Sequence, residues 1–475
     1  MEQYQGIQKP LWRLHPAERK TILLVGDIFF TVLALMISLF FWARADNEWL
    51  NFSWQFIIER PPFWYYLLPF LWMLMLSGLY DIRRASNRSE VFQGVGMAAI
   101  FSAFIYLFIF FLSAPNSLPR LGVAIFFVAV TLLTLLWRLI YIQVFTTPTF
   151  LRRILIVGAG RAGTSLMEVI NSIWPIPFYV VGFIDDDPEK IGSTFSGVPV
   201  IGKSEDLLRI IEEKEVADVI FSISGNLSHF LVDALLKAEE EGIEVSTMPK
   251  IYEELLGRVP IYLLQPDWLL RSFVDEVHNS RFYELSKRLI DIAGSLMGGV
   301  ALVILFPIIA SLILLDGGAP IFYSQIRLGK NGKPFRILKF RTMTQDAEKD
   351  GKARPAEEND ERVTHVGKLL RKSHLDEIPQ VINILRGEMS FVGPRSERPE
   401  IVEELQKSIP FYRARLFVKP GLTGWAQVNY GYASGAEQNA VKLEYDLYYI
   451  KHRTFMMDIS ILFQTVSSVI GLRGR

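Results

Sequence analysis

Two adjacent carboxylates, Asp376 and Glu377, stand in the run 373–398, SHLDEIPQVINILRGEMSFVGPRSER. After them Ile378, Val381, Ile382 and Leu385 fall at i, i+3, i+4 and i+7, the spacing of a short helix with one buried face. Pro379 then lies in the first helical turn, where a missing N–H is tolerated, and Gly387 closes the other end. The pair therefore sits at a helix N-terminus, beside unsatisfied N–H groups and the positive end of the dipole. That setting keeps a carboxylate ionised and attracts phosphate. An ionised Asp among cations and phosphates is a candidate nucleophile. The plain alternative makes Asp376 an N-cap.

Six basic residues and no acidic one lie between Gly317 and Gln345: Arg327, Lys330, Lys333, Arg336, Lys339 and Arg341. In FRILKFRTM (335–343) a strand points Arg336, Leu338 and Phe340 one way and Ile337, Lys339 and Arg341 the other. Such a face reads either as attraction to a lipid surface or, beside the acidic pair, as a pyrophosphate clamp. Arg395, in a Gly-Pro-Arg turn, offers the planar fork that suits phosphate oxygens; its alternative is a surface ion pair with Glu397 or Glu400. Residues 344–362 are polar and read as a mobile loop over the site.

The 475 residues contain no cysteine, which excludes disulfides, thiolate catalysis and Cys-based zinc sites. The six His show no metal spacing. Lys+Arg and Asp+Glu balance at 50 each, so charge gives no case for a nucleic-acid partner. Half of the residues are hydrophobic, and four runs, 21–43, 62–80, 93–113 and 121–145, are long enough to span a bilayer. Basic residues cluster before the first run (Lys9, Arg13, Arg19, Lys20), between the second and third (Arg83, Arg84, Arg88) and after the fourth (Arg152, Arg153), which puts both ends of a four-helix bundle in the cytoplasm. Trp42, Trp49, Trp54 and Trp64 suit an aromatic belt. Asp27 and Arg138 lie at similar depth, so they pair across the bundle, serve a function, or, for Arg138, snorkel.

RRILIVGAGRAG opens a soluble α/β stretch: a strand, then Gly158, Gly160 and Gly163 leading into a helix, with Asp185 ending the next strand. This is the Rossmann-like dinucleotide fingerprint in its strand–turn–helix context. It reads either as a nucleotide site or as a module kept for packing or regulation. A fifth apolar segment, about 289–315, contains Pro307. A helix broken at Phe306-Pro307 enters and leaves on one face; a full span with a tolerated proline is the alternative. Arg281, Lys287 and Arg288 flank it and suit lipid phosphates.

The acidic pair, FRILKFRTM, GPR (393–395), KPGLTGWAQVN (419–429) and YDLYYIKHRTFMMDISIL (445–462), in this order, resemble the bacterial sugar transferase family, the polyprenyl-phosphate hexose-1-phosphate transferases. The resemblance covers 282 to the C-terminus. It implies three parts: a transmembrane bundle (1–148), a Rossmann-like domain (149–265) and a C-terminal α/β catalytic domain (278–475) with a re-entrant helix at about 285–315. It implies a bacterial inner-membrane enzyme whose catalytic domain faces the cytoplasm. Asp376 would attack a UDP-hexose, glucose or galactose, to give a phosphoaspartyl-sugar, which undecaprenyl phosphate then attacks. Asp376 and Glu377 would hold Mg²⁺, and Lys339, Arg341, Arg395, Lys419 and Asp458 would contact phosphate or substrate. A homodimer through the extra domains is compatible with this. Two departures stand out: His374 replaces a small hydroxyl residue, and Ser396 replaces the proline after Gly-Pro-Arg. The competing classes are an NAD(P)-dependent nucleotide-sugar dehydratase or epimerase, which lacks a placed Tyr/Lys pair (Tyr283 and Lys287 fall outside the Rossmann-like stretch), and a non-enzymatic scaffold of a polysaccharide machine.

Overall fold

The computed structural model describes residues 16–45, 52–80, 82–112, 120–145, 151–174, 176–223, 228–263, 281–344, 360, 362–431 and 435–470. Lys9, Arg13, Trp49 and most of the 344–362 loop lie outside them. The chain divides into two compact units, Met1–Leu255 and Leu256–Arg475.

Among the described residues four helices are long and apolar enough to cross a membrane, and three belong to the first unit: Glu18–Ala45, Arg88–Phe108 and Arg120–Phe145. The second apolar run departs from the expected single span. It forms a 3₁₀ turn Phe63–Leu67, a helix Leu68–Met75 and another 3₁₀ turn Ser77–Tyr80. Pro69 sits at the start of the middle piece; its ring obstructs the preceding turn, so the winding restarts there. Trp42 is also not a belt residue: it is buried against Phe56 and Tyr65, whereas Trp54 is 80% exposed.

Inside this bundle Arg138 Nη2 lies 2.6 Å from Asp27 Oδ2, and both side chains are fully buried. Arg138 also donates to the Leu79 carbonyl at 2.8 Å. Arg138 is therefore a cross-bundle partner and does not snorkel. Trp72 Nε1 donates to Thr134 Oγ1 at 3.1 Å and Tyr65 to Ser38 Oγ at 2.8 Å, two further matched polar pairs inside the bundle.

The α/β part carries strands β1 (Arg153–Val157), β2 (Tyr179–Ile184), β3 (Thr194–Phe195), β4 (Val198–Gly202), β5 (Asp218–Phe221) and β6 (Glu244–Thr247), in the order β3-β4-β2-β1-β5-β6. All pairs are parallel except β3 with β4. Leu155, Val157, Ile184 and Val219 fill one core with Leu207, Ile211 and Leu231 from the helices. A Cβ on Gly163 would stand 2.1 Å from the Gly158 carbonyl oxygen, which is why the helix can begin so close to β1.

In the second unit the helix Arg281–Gly317 runs without interruption through Pro307. The expected break at Phe306-Pro307 is absent as a helix end. At 37 residues it would be about 55 Å long if straight, against a hydrocarbon core of about 30 Å. Met297, Val300, Val303, Ile304 and Ile308 are exposed along it. Yet both ends bond to the same unit. Near the start, Lys287 Nζ is 2.8 Å from Asp458, and Arg288 donates to the Ile384 and Leu385 carbonyls at 2.8 and 2.7 Å. At the far end, Arg341 donates to the Gly317 carbonyl at 2.9 Å and Asp316 accepts from the Val366 N–H at 2.8 Å. An antiparallel hairpin follows, β7 (Phe322–Leu328) with β8 (Pro334–Phe340), fastened to the helix by the stacked rings of Phe306, Phe322 and Phe340.

Replacing Arg138 by Leu would leave the Asp27 carboxylate buried and unpaired. The expected loss is about 3–5 kcal/mol in detergent-solubilised unfolding, with much of it recovered when Asp27 is also made Leu. Equal stability of the two variants would contradict the pairing role.

Candidate active site

Asp376 and Glu377 occupy the first turn of a 3₁₀ helix, Leu375–Gln380, which continues into the helix Val381–Arg386. His374 precedes it with a left-handed φ of 55° and an exposed side chain; Gly387 ends it at φ 84°. The 3₁₀ winding has three residues per turn, and this rotates the buried face away from the expected one. Val381 and Ile384 point inward with Gln380 and Asn383, while Leu385 is 44% exposed. Val381 meets the long helix at Gly298, where a Cβ would lie 2.8 Å from its γ-carbon.

Asn383, unremarked in the sequence, ties this turn to β8. Its amide donates to the Arg336 carbonyl at 2.7 Å and its oxygen accepts from the Leu338 N–H at 3.1 Å. The next residue on β8, Lys339, thereby faces the acidic pair. Lys339 Nζ is 2.6 Å from Glu377 Oε1, and Arg395 Nη2 is 3.0 Å from the same oxygen. Arg395 is thus a partner of the acidic pair, not of Glu397 or Glu400. Its turn is held by KPGLTG: β9 (Ser390–Val392) pairs in parallel with β10 (Gly421–Thr423), and Gly421 N–H donates to the Pro394 carbonyl at 2.9 Å. Gly393 and Gly421 approach so closely that a Cβ on Gly421 would stand 2.1 Å from the Gly393 nitrogen. Ser396, in place of proline, is buried in this arrangement, and its carbonyl accepts from Arg327 at 3.2 Å.

The two carboxyls are driven apart. Burial alone would raise Glu377, but Arg395 and Lys339 outweigh it and hold that carboxyl far below its ordinary value. Burial, with the neighbouring Glu377 charge, pushes Asp376 up against the pull of Lys339, Arg371 and Arg395. The expectation that the helix end alone keeps Asp376 readily ionised is therefore corrected: it is the more basic member of the pair. Among the described residues nothing donates a hydrogen bond to its carboxyl. Arg371, whose Nε donates to Thr342 Oγ1 at 2.9 Å, is a nearby cation that the motifs did not single out.

Three other expected contacts lie elsewhere. Arg341 is buried and caps the long helix, donating to the Gly317, Gly318 and Ala319 carbonyls, because its side chain follows the helix-facing side of the chain after β8. Asp458 is a buried hub accepting from Tyr283 at 3.0 Å, Tyr449 at 2.7 Å and Lys287 at 2.8 Å; this also gives Tyr283 and Lys287 an anchoring role. Lys419 neighbours Arg288 and Lys330 and lies by Gly387, at the far end of the turn and helix that begin at the acidic pair. In the first unit, Gly158 (φ 106°), Gly160 and Gly163 form the turn after β1, with open space over Gly160. Asp185 accepts from the Ala159 N–H at 2.8 Å and pairs with Lys190 at 3.1 Å, so it already takes up one N–H of that turn.

No group of three or more His, Cys, Asp or Glu that would hold a metal occurs among the described residues. Mg²⁺ needs only one or two carboxylates when substrate phosphates and water complete its shell. The Asp376–Glu377 pair, with an unbonded carboxyl on Asp376, fits that use.

Arg341→Met should lower unfolding stability by about 2–3 kcal/mol in denaturant titrations, since charged donors to buried carbonyls are lost. Unchanged stability would contradict the capping role of Arg341.

The bacterial sugar transferase family matches residues 282–471, and a CoA-binding domain matches 75–249. The UDP-N-acetylgalactosamine-undecaprenyl-phosphate N-acetylgalactosaminephosphotransferase of Aeromonas hydrophila is 39% identical over 251 residues, 52% of this chain and 56% of that protein. The undecaprenyl-phosphate glucose phosphotransferase of Komagataeibacter xylinus is 30% identical over 345 residues, covering 69% and 62%. The UDP-glucose:undecaprenyl-phosphate glucose-1-phosphate transferase of Escherichia coli (strain K12) is 31% identical over 337 residues, covering 66% and 67%. The chain thus spans 56% and 62% of the length of the first two relatives. With the acidic pair, its clamp and the Gly-Pro-Arg turn assembled in the matched region, this chain belongs to the bacterial sugar transferase family.

Proposed function

We propose that the protein transfers hexose 1-phosphate from a UDP-hexose to undecaprenyl phosphate, releasing UMP and forming undecaprenyl-diphosphate-hexose, to initiate exopolysaccharide, capsule or O-antigen synthesis. The observation that carries this is the asymmetry of the pair: Glu377 is neutralised by Lys339 and Arg395, while Asp376 has an unbonded carboxyl beside those cations.

Asp376, ionised, attacks the sugar-bearing phosphorus. A P–O bond of the anhydride breaks and its electron pair leaves with UMP, giving an acyl phosphate on Asp376. An oxygen of the lipid phosphate then attacks the same phosphorus, and the carboxylate departs regenerated. One anhydride is broken and one formed, so the reaction is reversible and needs no ATP. Lys339, Arg395 and Arg371 face the phosphate oxygens on which charge develops. Mg²⁺, held by Asp376 and Glu377, would supply further neutralisation of the diphosphate. The donor in the related proteins varies, UDP-glucose in some and UDP-N-acetylgalactosamine in another, so a donor panel read by UMP release identifies the sugar.

The long helix enters and leaves the membrane on one face, kinked at Pro307, and the catalytic unit lies at the cytoplasmic surface of the bacterial inner membrane. The bonds from both helix ends to one unit support this topology.

Asp376→Asn should lower UMP release and UMP–UDP-hexose isotope exchange by at least about 10³-fold; retained exchange would remove Asp376 as the nucleophile. Because Asp376 is raised, the acid limb of kcat/KM should lie above the ordinary aspartate value of about 3.9. It should move to lower pH in the residual activity of Glu377→Gln, which removes a charge that raises Asp376. A limb that stays in place or moves up would contradict the coupling.

A further inference from the structure

A second basic cleft, of about 420 Å³, opens at the start of the long helix. Lys287, Arg288, Lys330, Lys419 and Arg453 line it. Two carboxylates, Glu284 and Asp291, also line it, and both are engaged. Asp291 accepts from Ser390 Oγ and the Phe391 N–H, each at 2.9 Å, and Glu284 lies 3.7 Å from Arg453. Lys287 is balanced by Asp458 at 2.8 Å. Among the described residues Arg288, Lys330 and Lys419 have no carboxylate contact.

These cations converge. A Cβ at Gly387 would lie 3.6 Å from Lys419 Nζ and 3.7 Å from Arg288 Nη2, so the two flank one point. Burial together with Arg288 and Lys330 lowers the Lys419 ammonium below its usual value. Asp291 and Glu284 pull the other way on Lys419 without reversing the shift, and a cluster in which cations outnumber the carboxylates is an anion site. The place is not the reacting centre. Gly387 is at the far end of the turn and helix that begin at Asp376, on the order of 15–20 Å away along the winding.

The same helical turns present Phe282, Leu285 and Leu289, exposed by 79%, 59% and 59%, and Leu385 is exposed nearby. A ligand here therefore meets cations at one end and an apolar, outward-facing surface alongside. We propose that this cleft binds the phosphate headgroup of an anionic phospholipid whose chains lie along the exposed face of the long helix. The site is separate from the carboxyl pair and orders the membrane approach of the unit.

The test uses the full chain in nanodiscs or detergent with no nucleotide sugar present, so it is independent of the transfer reaction. Binding of phosphatidylglycerol is compared with phosphatidylcholine and with soluble glycerol 3-phosphate. Each juxtamembrane lysine contributes about fivefold in affinity for an anionic lipid surface. Lys419→Gln/Lys330→Gln should then weaken phosphatidylglycerol binding about 25-fold and leave phosphatidylcholine unchanged. Lys419→Arg/Lys330→Arg, which keeps the charges, should retain it. The proposal is overturned if the Gln pair binds phosphatidylglycerol like the parent while remaining folded, if the Arg pair loses it as fully as the Gln pair, or if glycerol 3-phosphate binds as tightly as the lipid.

Discussion

Glu377 Oε1 is shared between Lys339 and Arg395, and the chemistry available at the site follows from that double contact. Two carboxylates side by side cannot both be fully charged in a buried place without compensation. Here the compensation is unequal. Glu377 receives both cations, so it stays ionised, neutral in effect and fixed in direction. Asp376 keeps a buried, unbonded carboxyl within the field of the same cations. One carboxylate is thus a positioned counter-ion and the other is free to react. Three pieces of chain must agree for this to hold: β8 brings Lys339, the 3₁₀ turn brings the pair, and the Gly-Pro-Arg turn brings Arg395. Asn383 locks the first to the second, and the β9–β10 contact locks the third.

Much of this was legible in the sequence because it is local. The strand alternation in FRILKFRTM, the acidic pair ahead of a short apolar helix, the closing Gly387 and the βαβ glycine spacing each depend on a few neighbouring residues. The strands of the Rossmann-like sheet are likewise short apolar runs between turn residues. What the sequence did not reveal depends on contacts distant in the chain. Arg341 follows Lys339 by two positions, on the same side of an ideal strand, but the strand ends at Phe340 and the chain carries Arg341 to the end of the long helix. Asp458, expected at the phosphate or substrate, is consumed by two tyrosines and a lysine. The buried face of 378–385 was misjudged because periodicity assumes 3.6 residues per turn, and this segment starts with three. The second apolar run has the composition of a span, but Pro69 lies where continuous winding would need a donor.

The long helix illustrates a different limit. Length and hydropathy describe a segment able to cross a bilayer, and neither property encodes where its ends go. That information lies in the partners of Lys287, Arg288, Asp316 and Gly317, which come from residues between 341 and 458. The exposed apolar side chains and the tethered ends belong to one helix, so its exposed apolar surface and its attachment to the second unit are set by the same winding.

The Asp27–Arg138 pair has a consequence for assembly of the first unit. Two long apolar helices present surfaces on which many axial settings bury similar area. A single charge match, completed by the Leu79 carbonyl, is satisfied in only one of them. Sliding either helix by one residue, or rotating it by a quarter turn, would strand both charges in hydrocarbon. The pair therefore acts as an indexing pin, selecting one registry from many that packing alone would leave nearly degenerate.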